Sequence, residues 1–258
     1  MSNRSDHSSL HREHTAQAIR QRLGRPAGRG YLSDAVLGGI DGGVTTFAIV
    51  AGAIGGGLPG FVVVVLGLAN LVADGFSMAA SNYLSVKSEH EEVERARRQE
   101  KRHIRHVPDG EREEIRQIFA AKGFADDLLE QIVAVITARE DVWIDTMLTE
   151  EHGLSLAARN PVRAALATFG AFLAVGLLPL LPFLVGPSEP ADGFGASIAV
   201  TAAAFAAVGM LKGRVLDRSI LRSGVETLAI GGVAAALAYG IGHVLRQMYV
   251  TGAVQAIQ

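Results

Sequence analysis

The chain contains no cysteine, so disulfide bonds and thiolate metal sites are both excluded. Any metal ion must therefore be held by oxygen, imidazole or thioether ligands. Aromatic residues are also scarce, at 6% of 258 residues, which leaves little to line a pocket for an organic ligand. With a formal net charge of −2, the chain lacks the strongly basic character that predicts nucleic-acid binding.

Long apolar blocks are what the chain has in abundance. Of its residues 49% are hydrophobic, and the 19% that are charged are segregated from them. A helix of about 20 apolar residues crosses a bilayer, and five segments come close to this length: 35–58, 60–84, 162–185, 194–211 and 227–244. The sequence therefore predicts an all-α, multi-pass membrane protein with about five transmembrane helices.

Positively charged residues predict the orientation of these spans. Lys and Arg occur before the first span, between the second and third, and between the fourth and fifth, whereas the connections 55–59 and 186–192 contain neither. Because Lys and Arg favour the cytoplasmic side, we expect a cytoplasmic N-terminus and a C-terminus outside. Residues 1–30 lack the apolar core of a signal peptide and are interpreted as a cytoplasmic tail. With no organelle address evident, the expected location is the plasma (inner) membrane of a prokaryotic cell.

Asp41 is the most informative residue of the first span, because it lies between glycines inside an apolar stretch. Burying an ionised side chain at membrane depth costs at least about 2.5–3.5 kcal/mol, so such acids are functional candidates and need a partner. The expected partner of Asp41 is a cation.

The second span carries Asn70, Asp74 and Met78 at successive i, i+4 positions, which places them on one stripe of the helix. Oxygen ligands alone would suit magnesium or calcium, whereas a soft sulfur favours a first-row transition ion. Fe(II) and Mn(II) are therefore the leading candidates. An acid in a pore also suits an exporter of small organic cations, which the scarcity of aromatic residues disfavours.

A polar block, residues 87–160, separates the second and third spans and predicts a cytoplasmic domain of three helices. The first continues from the second span to about Arg105, since neither Pro nor Gly interrupts it. The second begins at Pro108 and ends near Gly123, and the third covers about 126–152 with a candidate break at 138–141. The chain thus divides into a tail (1–30), spans 1–2 (31–86), a helical domain (87–160) and spans 3–5 (161–258).

Metal-ligand side chains recur at one-turn spacing in this block, in the pairs Glu100 and His103, Glu111 and Glu114, and Met147 and Glu151. Converging helices can gather such side chains around metal ions. The same spacing is also typical of surface charges that serve solubility and i, i+4 pairing. Spacing alone leaves both interpretations open.

Taken together, these motifs resemble the vacuolar iron transporter family. The resemblance covers about residues 31–242 and rests on Gly39-Ile40-Asp41-Gly42, on the stretch from Asn70 to Met78, on the Glu-rich insertion and on Leu221-Arg222-Ser223-Gly224-Val225-Glu226-Thr227. It implies a dimeric five-span transporter, rather than an enzyme with a cofactor. Such a protein moves Fe(II), and often Mn(II), out of the cytoplasm across the lipid bilayer in exchange for protons.

Carried over residue by residue, the resemblance implies that Asp41 and Met78 are translocation ligands. It implies cytoplasmic metal ligands at Glu100, Glu111, Glu114, Met147 and Glu151.

The chain departs from the family at two positions. Asn70 stands where plant members have a glutamate, and Asp74 one turn later supplies a carboxylate on the same face. His103 stands where a glutamate is expected, and imidazole is a competent ligand for iron, manganese or zinc. A membrane-anchored sensor or sequestering protein, in which only the insertion binds metal, stays open as an alternative.

Overall fold

A computed structural model describes residues 14–23, 30–157, 159–185, 190–215 and 219–255. Most of the predicted tail, including His7 and His11, and most of the connection 186–192 lie outside these ranges. The α-helices within them are α1 (Ala16–Leu23), α2 (Leu32–Gly55), α3 (Gly60–His106), α4 (Pro108–Ala121), α5 (Asp126–Thr137), α6 (Glu140–Glu150), α7 (Pro161–Gly176), α8 (Leu181–Val185), α9 (Pro190–Val215) and α10 (Ile220–Gln255).

Five of these segments are long and apolar enough to cross a membrane, namely Leu32–Gly55, Gly60–His106, Pro161–Val185, Gly193–Arg214 and Ile220–Val250. They follow the five predicted spans in order, so the prediction of an all-α protein with five candidate spans is confirmed. Helices α9 and α10 extend beyond the predicted apolar segments, and no proline lies inside either helix after Pro190, the first residue of α9.

The third span is not one regular helix. Helix α7 ends at Gly176, and a 3₁₀ turn at Leu178–Leu180 precedes α8. Pro179 lacks the N–H that an α-helix would use at this point. Its carbonyl accepts a hydrogen bond of 2.8 Å from the Ser197 hydroxyl on α9, which satisfies a backbone group that lipid could not.

The helices form two compact units. The membrane unit consists of Gly30–Ser88 and Asn160–Gln258, and the polar unit consists of Glu89–Arg159 with the N-terminal segment that contains α1. Helix α3 contributes residues to both, as the absence of Pro and Gly between residues 76 and 105 predicts.

Glycines let the helices of the membrane unit approach closely. A Cβ at Gly38 would lie 2.3 Å from the Thr168 carbonyl oxygen of α7, and one at Gly42 would lie 2.4 Å from that of Phe172. A Cβ at Gly242 of α10 would lie 2.1 Å from the Gly52 carbonyl oxygen of α2. Helix α2 is therefore held between α7 and α10 by contacts that only glycine allows.

The polar unit has its own apolar core, made of Ile115, Leu129, Val133, Trp143 and Met147. Its predicted third helix is divided, since α5 ends at Thr137 and α6 begins at Glu140. Arg139 between them has extended backbone angles, φ −129° and ψ 116°, and its guanidinium hydrogen-bonds to the Asp141 carboxylate at 2.6 Å. The break falls at the predicted place, and the segment forms two helices rather than one.

Candidate metal sites

Three chain segments bring carboxylates and imidazoles together in the polar unit. The end of α3 supplies Glu100 and His103, which are neighbours at i, i+3 spacing. The first turn of α4 supplies Glu111, just after Pro108 starts that helix. Glu151 is the C-cap of α6, and His152 follows it. An acid at a helix C-terminus is disfavoured by the helix dipole, so Glu151 occupies a position that stability alone would not select.

Glu100, His103 and Glu111 form one ligand group, in which one donor atom from each residue lies within 4.8 Å of the others. Nδ1 of His103 is 3.3 Å from Oε1 of Glu111. Both carboxylates are buried, with 1% of Glu100 and 3% of Glu111 exposed. The Oε2 atom of each has no hydrogen-bond partner among the described residues. Buried, unpartnered carboxylate oxygens are the kind of ligand that a divalent cation would satisfy.

A second group shares Glu100 and consists of Glu100, Glu151 and His152. Nε2 of His152 lies 3.0 Å from Oε1 of Glu100 and 3.8 Å from Oε2 of Glu151. Because Glu100 belongs to both groups, we refer to these five residues together as the Glu100 cluster.

Burial and mutual repulsion raise the pKa of acids in this cluster, as expected at a site that binds a cation. Burial, which is the largest cause, and repulsion from Glu114, Glu100 and Glu151 together raise the pKa of Glu111 to about 8. Burial also raises the pKa of Glu151. The hydrogen bond that His152 donates to the Glu100 carboxylate raises the pKa of His152, which favours the imidazolium. Without a metal ion, protons therefore offset part of the negative charge.

Other acids of the polar unit behave as ordinary surface charges. Glu130 accepts hydrogen bonds from Arg116, and the pKa of Glu130 is lowered by that contact. Asp145 pairs with Arg97 at 2.7 Å. Exposed pairs of this kind contribute little to stability. Glu100 and Glu111 differ because their ion-pair partners are imidazoles rather than Lys or Arg.

Two predicted ligands, Glu114 and Met147, belong to neither of these ligand groups. Glu114 is exposed, yet its charge acts on Glu111, Glu151 and His152, so it lies beside the cluster. Met147 is fully buried in the apolar core of the unit. A metal contact of its sulfur stays a prediction.

The membrane unit places Asp41 of α2 partly buried, with Asp74 of α3 near enough for the two charges to interact. Asp74 itself is exposed, and Met78 one turn later is partly buried. The side-chain nitrogen of Asn70, one turn before Asp74, is buried without a hydrogen-bond partner among the described residues. Two acids close together in an apolar environment repel each other, and a cation would relieve that repulsion.

A second polar contact links three helices of this unit. The amide nitrogen of Asn82 donates to Oδ1 of Asp34 at 3.2 Å and to the Thr168 hydroxyl at 2.7 Å. Asp34 is buried, with 7% exposed. Helices α2, α3 and α7 are thus joined by hydrogen bonds around a carboxylate at the start of the first span.

The sequence interpretation did not include Asp34, Asn82 or His152. Asn82 continues the i, i+4 series of residues 70, 74 and 78 by one more turn, so extending the pattern would have found it. Asp34 immediately precedes the apolar segment as predicted. The only sequence signal for His152 is that it adjoins Glu151, because its approach to Glu100 depends on how the helices pack.

Known proteins resemble this chain in sequence over most of its length. The model of the VIT family matches residues 32–243. A vacuolar iron transporter of Toxoplasma gondii is 32% identical over 84% of this chain and 74% of its own length. Vacuolar iron transporter 1 of Tulipa gesneriana is 31% identical, covering 83% of this chain and 87% of its own. The protein of the same name from rice, Oryza sativa subsp. japonica, is 32% identical over 81% and 82%.

Proposed function

This chain belongs to the VIT family, and we propose that it exports Fe(II), Mn(II) or both from the cytoplasm by proton antiport. Metal-ion transport, and not catalysis, is the activity that the family membership supports. The observation that carries the finer proposal is Asp41, a carboxylate in the middle of an apolar helix with Asp74 close enough to repel it. Such a pair in a membrane needs a divalent cation or protons.

The choice of metal follows from ligand chemistry. Asp41, Asp74 and Met78 offer two carboxylates and a thioether in the spans, and no thiolate exists in the chain. Oxygen ligands with a soft sulfur favour first-row transition ions over magnesium and calcium. We propose these residues as translocation ligands and the Glu100 cluster, with Glu114 and Met147, as the metal-binding site of the insertion.

Proton coupling rests on the same ligands. Carboxylates and imidazoles bind a metal ion only when they are deprotonated, so metal and protons compete for the same atoms. An acidic outer compartment would protonate Asp41 and Asp74, release the metal and return protons on the next step. No separate proton path is needed.

The proposed direction rests on the distribution of Lys and Arg, which favours a cytoplasmic N-terminus, a cytoplasmic polar unit and a C-terminus outside. For the location we propose the plasma membrane of a prokaryotic cell. The relatives named above are vacuolar iron transporters by name and come from eukaryotes, so iron transport is the element that they share with this proposal.

A homodimer is supported by the exposure of α3. Asp74 is exposed in the single chain, and so is Ser77 one turn later on the same side of α3. A carboxylate that faced lipid would cost at least about 2.5–3.5 kcal/mol. A second copy of the chain packed against this face of α3 would remove Asp74 from lipid.

A membrane-anchored sequestering protein is the second candidate, because the Glu100 cluster lies wholly within the polar unit. Metal tolerance of an exporter-deficient host separates the two. Under the transport proposal, Asp41→Asn abolishes tolerance to Fe(II) and Mn(II), since the amide keeps the shape but not the charge. Glu130→Gln, which removes a carboxylate 59% exposed on α5, retains it.

Sequestration predicts the opposite pattern. Asp41→Asn would then leave tolerance intact, while Glu111→Ala combined with Glu114→Ala would abolish it. Expression of each variant is compared by immunoblot of the membrane fraction. Wild-type tolerance in cells that carry Asp41→Asn at normal abundance would overturn the transport proposal.

A further inference from the structure

His152 lies beside two carboxylates of the polar unit. Neither the residues around it in the sequence nor a metal site made of carboxylates alone would predict an imidazole there. Its Nε2 atom lies 3.0 Å from Oε1 of Glu100 and 3.8 Å from Oε2 of Glu151. Glu100 is 1% exposed, and its second oxygen is buried without a hydrogen-bond partner in the described part of the chain. A cation held between these atoms would be coordinated by both carboxylates and the imidazole nitrogen.

The neighbouring group repeats the same composition. Glu100, His103 and Glu111 also bring two carboxylates and one imidazole within 4.8 Å of one another. The two groups share only Glu100. Each group therefore places one imidazole near this buried carboxylate.

We propose that His152 is a metal ligand, and that with His103 it makes the Glu100 cluster favour Zn(II) and Co(II) over Mn(II). This inference rests on the proposed function, since it concerns the ions that the same cluster collects. His152 thereby becomes a residue that determines metal preference, in addition to the ligands proposed from the sequence.

The physical reason lies in the preferences of the ligands. Carboxylates suit Mn(II), whereas imidazole suits zinc, copper, iron and nickel. At a given nitrogen and oxygen site, affinity rises along the series from Mn(II) through Fe(II) to Co(II). Exchanging carboxylate ligands for imidazole therefore enlarges the advantage of the later ions.

A merely structural role for His152 would be to pair with Glu100 as a hydrogen-bond donor. His152→Gln keeps an amide donor at this position but removes the strong nitrogen ligand, so it separates the two roles. His106→Gln is the matched control, because His106 is exposed and its Nδ1 lies against the Arg102 carbonyl at 2.8 Å instead of in the cluster.

The test uses the purified full chain in detergent, with Zn(II) and Mn(II) affinities measured by competition with a chromophoric chelator. For His152→Gln we expect Zn(II) affinity to fall by at least about tenfold, the smaller end of the loss that even supporting residues of metal sites produce. Mn(II) affinity should fall much less. His106→Gln should match the unsubstituted chain.

A spectroscopic measurement reports ligation directly. Electron spin-echo modulation of bound Mn(II) detects ¹⁴N nuclei of coordinated imidazole, and His152→Gln should weaken this modulation while His106→Gln leaves it unchanged. His152→Glu provides a second variant, in which an oxygen ligand replaces the nitrogen. It should retain Mn(II) binding and show a smaller preference for Zn(II), of which only the part due to His103 remains.

Equal losses for Zn(II) and Mn(II) in His152→Gln, or nitrogen modulation that the substitution does not change, would overturn the inference. A Zn(II) preference that is undiminished in His152→Glu would also overturn it. Those results would leave the proposed transport function standing. If the unsubstituted chain bound neither metal, the metal-binding role proposed for the whole cluster would fall as well.

Discussion

Glu111 illustrates at the scale of one residue how packing changes an ordinary side chain. In the sequence it is one of several glutamates on a polar helix, and Glu113 two positions later is paired with Arg116 at the surface. Burial separates them, because Glu111 is 3% exposed and faces His103 and other carboxylates. Its raised pKa records the cost of holding that charge without a cation.

This environment predicts a pH dependence of metal binding. Since the pKa of Glu111 is about 8, the metal-free carboxyl holds a proton at neutral pH, and a metal ion must displace it. Affinity for Mn(II) should therefore rise from about pH 6 to about pH 8 and then level off. Binding at pH 7 should release protons, which calorimetry in buffers of different ionisation enthalpy measures.

Glu111→Gln is the informative comparison for this dependence. It should bind Mn(II) more weakly and with a smaller pH slope, because the titrating group is gone. The control is Glu113→Gln, whose carboxylate lies outside the cluster and should leave both properties unchanged. A slope that was identical in all three proteins would show that Glu111 does not compete with metal.

Individual residues were predictable to the extent that a local pattern reveals them. Asp41 stands out because an acid in an apolar span is rare, and the positions 70, 74 and 78 share a helical stripe. His152 could not be predicted in this way, since its contact with Glu100 joins residues 52 positions apart. The burial of Glu100 also depends on neighbouring helices, which no spacing within α3 reports.

At the scale of the elements, the packing of α2 against α7 depends on small residues. A Cβ at Gly42 would lie 2.4 Å from the Phe172 carbonyl oxygen and 2.9 Å from its carbonyl carbon. These are backbone atoms, so they cannot move aside as the end of a flexible side chain can. A methyl group at Gly42 would therefore force α2 and α7 apart.

We expect Gly42→Ala to destabilise the protein by about 1–3 kcal/mol, the usual cost of overpacking. Gly232→Ala is the matched control, because nothing lies within 4 Å of its added Cβ and alanine favours a helix. The melting temperatures of the two variants are compared by heating each in detergent and measuring, by size-exclusion chromatography, how much folded protein remains. A melting temperature for Gly42→Ala equal to that of Gly232→Ala would contradict the close packing.

The elements themselves were largely predictable. Residues 76–105 contain neither Pro nor Gly, which predicts that α3 continues beyond the second span, and Pro108 predicts the start of α4. The 3₁₀ turn in the third span was not predicted, although Pro179 stands in the sequence. Its conformation depends on the hydrogen bond from Ser197, a partner 18 positions away on another helix.

At the scale of the whole molecule, the proposed dimer can be tested with a single introduced cysteine, because the chain has none of its own. Ser77 is exposed and lies one turn from Asp74 on α3. We expect Ser77→Cys to be crosslinked by a short bismaleimide in native membranes. Val233→Cys on α10, at a position 61% exposed, is the control for random collisions and should not be crosslinked. Equal crosslinking at the two positions would argue against α3 as the dimer face.

Under the proposed function, Asp41 carries a divalent metal ion across the membrane in exchange for protons. Mn(II) entry into proteoliposomes with an acidic lumen, and with the cytoplasmic side of the protein facing outward, tests this role. We expect entry to speed up with the pH gradient and the lumen to become alkaline as Mn(II) enters. Asp41→Asn should abolish both effects, whereas Glu130→Gln should retain them. Mn(II) entry through Asp41→Asn at the rate of the unsubstituted chain, or entry indifferent to collapse of the gradient with no change in lumenal pH, would contradict this role.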